Sequence, residues 1–201
     1  MRDWKHHCLL VIDIQTDFVD DIPEKKQFRQ NIENLLSLAR EAGIEIMHLR
    51  SEFLPDKSDW MPFAGLRNFS PCVINTEGGS VPHWAQAAGT EEIIIKKTFD
   101  GFIHTKLEEM LKRKDVSHVL IAGLVTSICV NLTALSAMQR GFLTTVITDS
   151  IADNNPANGD YILHTLYGAF AYNTVVSNKI IDSYEKWISQ MNTIRLLRRN
   201  D

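Results

Sequence analysis

Apolar runs of five or six residues alternate along this chain with segments whose apolar residues recur at helical spacing. "CLLVI" at 8–12 is uninterrupted, the pattern of a strand covered on both faces. "FRQNIENLLSLAREAG" at 28–43 sets Phe28, Ile32, Leu35, Leu36 and Ala39 on one helical face, with Gly43 as the stop. "IEIMHL" (44–49), "EIIIK" (92–96), "HVLIAG" (118–123), "LTTVIT" (143–148) and "NTVVS" (173–177) predict further strands, and helices are expected near 104–114, 127–140, 158–171 and 178–195. Strands separated by helices pair in parallel through right-handed crossovers, which cover the sheet on both sides. The predicted fold class is therefore α/β: a three-layer α/β/α sandwich around a mostly parallel, Rossmann-like sheet of five to six strands.

Composition narrows the partners. A chain of 201 residues, 44% hydrophobic, can bury one sizeable core, so a single domain over 1–201 is expected. Acids and bases are scattered and the formal charge is −4, which leaves no basic face for nucleic acid or a membrane surface; the expected partner is a small molecule. No apolar run approaches the roughly 20 residues of a membrane span, and "MRDWKHHCLLVIDIQ" lacks the long apolar region of a signal peptide, so a cytoplasmic location is expected. Cys8, Cys72 and Cys129 are odd in number with no CxxC pair, which predicts free thiols.

Residues 50–91 interrupt the alternation and hold four of the six prolines and two of the four tryptophans, the mark of a segment that covers a ligand site. Ligands of such sheets bind beyond the carboxyl ends of the strands, where strand order reverses. Three strand ends carry chemistry: Asp13 closes the first, Lys96 closes the one after the long loop, and Cys129 follows "HVLIAG". Singly, these are a helix cap, a solvated lysine and a packed thiol. Together they are nucleophile, proton shuttle and positive charge, the set that thiol-based acyl transfer needs. With Thr126 or Ser127 as cap, Cys129 falls in the first turn of its helix, where unpaired N–H groups and the macrodipole favour a thiolate and can receive an oxyanion. Trp60, Phe63, Phe99 and Phe102 are candidates for an apolar pocket wall, with ordinary core packing as the alternative. His104 and His164 keep a Cys–His dyad open, without a local motif behind either.

"VIDIQTDF" (11–18), "IIKKTFDGF" (94–102) and "IAGLVTSICVNLTALSAMQRGF" (121–142) together resemble the isochorismatase-like cysteine hydrolase superfamily. The resemblance implies a catalytic triad of Asp13, Lys96 and Cys129, no cofactor, and a homo-oligomer, dimer or tetramer. It also implies a non-proline cis peptide at Val125–Thr126 that turns the Thr126 N–H, with that of Cys129, toward the oxyanion. Phe18, of the first motif, joins Trp60, Phe63 and Phe102 as a pocket candidate. The second motif ends in Gly101-Phe102 where the family usually has Ala-Phe, and adjacent Lys97 competes with Lys96 for the lysine's place. The metal-dependent nicotinamidases of that family carry D-x-H-x-x-x-H where this chain reads "MHLRSEFLPD", so no metal is expected; His48 reads as a packed strand residue. Retention of Cys129 points to hydrolysis of a C–N bond in a small amide, carbamoyl compound or ureide. An isochorismatase-type vinyl ether hydrolase and a non-catalytic binding protein on the same fold are the alternatives.

Overall fold

In the computed structural model, residues 2–167 and 173–198 are described, apart from the side chains of 166–167 and 195–198. In chain order the elements are β1 (His7–Ile12), the single-turn α1 (Thr16–Val19), α2 (Lys25–Ala42), β2 (Glu45–Ser51), α3 (Pro62–Arg67), β3 (Glu92–Lys96), α4 (Leu107–Arg113) and β4 (His118–Leu124). After β4 come a π-helical turn over Thr126–Val130, α5 (Asn131–Gln139), β5 (Leu143–Ala152), α6 (Pro156–Tyr161), a second π-helical stretch over Ile162–Tyr167, β6 (Asn173–Val175) and α7 (Ile180–Arg198). The six strands pair in parallel in the order β3-β2-β1-β4-β5-β6. The helix read at 158–171 instead breaks between α6 and the π-helical stretch, and its last residues, 168–171, lie outside the described ones.

Two apolar layers flank the sheet, sorted by the strand's period of two. From β1, Cys8, Leu10 and Ile12 face Leu107 and Leu111 of α4 and Ala134 and Ala137 of α5. Leu9 and Val11 face the other way, onto Ile32, Leu35 and Leu36 of α2 and Trp187 of α7. This double burial explains why β1 reads as an unbroken apolar run. Past Ile147 the sheet turns polar. There β5 continues beyond its expected end at Thr148, through Asp149 and Ser150 to Ala152, and Asp149 accepts the Ser177 N–H (2.9 Å) and hydroxyl (2.7 Å). No described helix is long and apolar enough to cross a membrane.

Strand order reverses between β1 and β4, so their carboxyl ends flank the crevice. The two backbones are close there: a Cβ on Gly123 (φ +121°) would stand 2.0 Å from the Ile12 carbonyl oxygen, which only glycine avoids. Asp13 leaves β1 at φ +49°, its N–H donating to the Leu49 carbonyl (2.9 Å).

Candidate active site

The register of three neighbouring strands assembles the centre. Ser51, the last residue of β2, pairs with Lys96, the last of β3, and Asp13 follows β1 immediately. The Ser51 N–H (2.9 Å) and hydroxyl (3.0 Å) both donate to Asp13 Oδ1, while Lys96 Nζ lies 2.7 Å from Asp13 Oδ2. Lys96 Nζ also donates to Ser51 Oγ (2.9 Å) and the Thr98 carbonyl (3.0 Å), and reaches Cys129 Sγ at 3.6 Å. Gln15 braces the group: its amide donates to the carbonyls of Ser51 (2.8 Å) and Gly79 (2.9 Å) and its oxygen accepts the Ser51 N–H (2.9 Å). Asp13 and Lys96 are fully enclosed side chains. Ser51 carries no motif and sequence reading missed it; only its register opposite Lys96 marks it.

Lys97 is elsewhere. It is half-exposed, paired with Asp59 at 2.6 Å and the Glu52 carbonyl, which separates the two adjacent lysines. His104 and His164 are both exposed, whereas Cys129 is buried, so no histidine accompanies the thiol from those positions.

Cys129 sits in the π-helical turn rather than in the first turn of an α-helix. Neither Thr126 nor Ser127 caps it with a side chain; the Ser127 N–H instead donates to Asp153 Oδ2 (2.8 Å), a buried carboxylate just past β5 whose other oxygen accepts the Asn155 N–H (3.0 Å). Burial first, then the charge of Asp13, push the Cys129 thiol well above the ordinary thiol range, and the nearby Lys96 only partly offsets them. Burial alone would lower the Lys96 ammonium, but Asp13 and then Cys129 outweigh it and hold it above the ordinary lysine value. The sulfur thus sits buried beside a carboxylate–ammonium pair.

The cis peptide lies at Leu124–Val125, one residue before the expected Val125–Thr126. Val125, Ile128 and Cys129 line a cavity of about 410 Å³, while Thr126 is buried and does not line it. The Ile128 N–H is committed to the Val125 carbonyl (3.1 Å).

The cavity wall is apolar, built by Phe18, Phe53, Met61, Phe63, Phe69 and Phe99. Four of these come from the long segment at 50–91, whose α3 carries Phe63 against Phe99 with ring centroids 5.6 Å apart. Trp60 and Phe102 do not line it. Trp60 folds onto its own loop, its Nε1 donating to the Leu54 carbonyl (2.8 Å). Phe102 is core, stacked on Phe142 (6.2 Å) under the Arg140 guanidinium. A Cβ on Gly101, which replaces the usual alanine, would stand 2.2 Å from Leu49 Cδ2, so the Leu49 side chain would have to shift to admit it.

Among the described residues, no group of three or more His, Cys, Asp or Glu side chains is arranged to hold a metal ion. His48, nearest to the motif position of the metal-dependent relatives, is buried on β2 with Nε2 tied to Glu91 (2.9 Å), so the residues present do not fit a zinc centre.

A parallel α/β/α sandwich with an enclosed polar centre at its switch point, beneath an apolar cavity, is the class that fold and site define. The sequence profile of the Isochorismatase domain matches residues 7–177, and the chain belongs to that family of hydrolases. Nicotinamidase 3 of Arabidopsis thaliana is 26% identical over 82% of each chain. Streptothricin hydrolase of Streptomyces noursei is 30% identical over 67% of this chain and 45% of that protein, so the match spans under half of that enzyme's length. The crystal structure of a cysteine hydrolase from Pseudomonas syringae pv. phaseolicola 1448A superposes with a TM-score of 0.82 at 20% identity, over 92% of this chain and 94% of that one, a likeness of fold.

Proposed function

We propose that this hydrolase cleaves the C–N bond of a small amide, carbamoyl compound or ureide through a thioester on Cys129. The observation that carries the reading is the contact chain Asp13–Lys96–Cys129, 2.7 and 3.6 Å, at the floor of the cavity. Attack and deprotonation are coupled: Asp13 takes the Sγ proton as Sγ adds to the carbonyl carbon. Lys96 holds Asp13 in place and stabilises the developing sulfur charge. The oxyanion is received by the backbone N–H groups of Val125 and Cys129, residues that border the cavity at the turn. Asp13 then gives its proton to the leaving nitrogen, the C–N bond breaks, and the amine departs. Water adds to the thioester carbon as Asp13 takes its proton; the C–S bond breaks, the acid leaves, and sulfur regains the proton.

Ammonia release from a panel of primary amides, carbamoyl compounds and ureides tests the reading. Turnover by the wild type that disappears in Cys129→Ala is expected. Turnover that survives Cys129→Ala would contradict it and favour chemistry that does not use the thiol, such as vinyl ether cleavage.

A further inference from the structure

The charged lining of the cavity is of one sign. Asp17, Asp20 and Asp21 stand on its wall, and among the described residues no Lys, Arg or His side chain lines it. The three acids are not equivalent. Asp17 is used structurally: its Oδ2 accepts the Cys72 N–H (2.7 Å), and its carboxylate packs so tightly on Gly78 that a Cβ there would meet Oδ1 at 2.0 Å. Asp20 is paired with Lys25 of α2 at 3.2 Å, in solvent. Asp21 is exposed, and its carboxylate has no hydrogen bond or ion pair among the described residues. The Lys96 ammonium is enclosed below the cavity with Asp13 and offers nothing to a substrate's anion.

Resting on the proposed amide hydrolysis, we propose that the site selects substrates with a cationic group: an apolar-bodied amide whose carbonyl sits at Cys129 and whose ammonium or guanidinium group meets Asp21, with Asp20 beside it, at the cavity mouth. The phenylalanine and methionine wall accommodates the body of such a molecule, and the uncompensated carboxylate supplies the charge complementarity. A carboxylate-bearing amide would meet the acids with like charge and find no cation to pair with, which is a device of exclusion as much as of attraction.

Matched amides test this: ω-amino amides from 4-aminobutanamide to 8-aminooctanamide, the neutral alkyl amides of equal length, and the ω-carboxy amides. Turnover of each by the wild type and calorimetric binding of each to Cys129→Ala give two readouts. The expected order is cation, then neutral, then anion in both, with the cation's advantage, about threefold or more, lying in KM and shrinking as salt is raised from about 20 to about 500 mM. Asp21→Asn should remove most of that advantage. Equal or anion-first preference in binding, an advantage intact in Asp21→Asn, or no binding of any member would overturn the inference. Cation-first binding with no turnover of any amide would leave it standing and overturn the amide hydrolase reading instead.

Discussion

At the scale of single residues, the site depends on burial as much as on residue type. Asp13, Lys96 and Cys129 are legible in the sequence because each closes or follows a strand and the family's motifs mark them. Ser51 is not, because a serine at a strand end has no motif, and its two hydrogen bonds to Asp13 follow from inter-strand register. The state of the thiol is hidden for a related reason: sequence shows the helix but not the enclosure, nor that Asp153 takes an early N–H of the turn. Iodoacetamide modification of Cys129, followed by intact-protein mass spectrometry, should therefore accelerate steadily with pH and show no plateau below about pH 9. A plateau near about pH 6 to 7 would indicate a stabilised thiolate. Cys129→Ala and Asp13→Asn should each abolish turnover and fail to add in combination, because they act as a unit. Lys96→Met should do the same, whereas Lys97→Met, which loses Asp59, a loop carbonyl and a contact over the Phe53 ring, should keep turnover within about threefold of wild type; the reverse pattern in steady-state rates would move the lysine's role to Lys97.

At the scale of elements, the alternation of strands and helices is readable because strands buried on both faces are apolar throughout, and α2 shows its core face at regular spacing. The end of β5 is not, since its Asp149 is satisfied by Ser177 far along the chain. The long segment at 50–91 is recognisable as a cover but not in detail. Aromatic residues there look alike in sequence, yet Phe63 lines the cavity while Trp60 bonds to its own loop. Phe63→Ala should raise KM severalfold with a stability change within about 1 kcal/mol, and Trp60→Ala should leave KM unchanged. Steady-state kinetics and thermal melts distinguish these outcomes, and equal KM effects would place both side chains on the substrate.

At the scale of the whole molecule, the site occupies the carboxyl ends of the strands, while the opposite end of the sheet holds a buried pair of histidines. His7 and His118 lie side by side on β1 and β4, ring centroids 5.1 Å apart, packed on Trp4 and Trp187. Both His7 ring nitrogens and His118 Nδ1 are buried without a hydrogen-bond partner among the described residues. Burial, the main cause, pushes His7 down to about 4. The unfolded chain thus binds a proton that the fold refuses. Stability is full above the ordinary histidine value and is lost as pH falls from about 6.5 toward about 4, by on the order of 3 kcal/mol for His7. Urea midpoints across that window should fall in the wild type and fall less in His7→Phe; parallel curves would show that His7 does not report on folding. The central claim is covalent catalysis by Cys129 at the other end of the sheet. Its most direct measurement is rapid acid quench of the wild type during turnover of the best amide substrate, followed by peptide mass spectrometry. An acyl group attached to Cys129, absent from Cys129→Ala and decaying at the rate of turnover, is the predicted result; steady turnover with an unmodified Cys129 at every time point would contradict it.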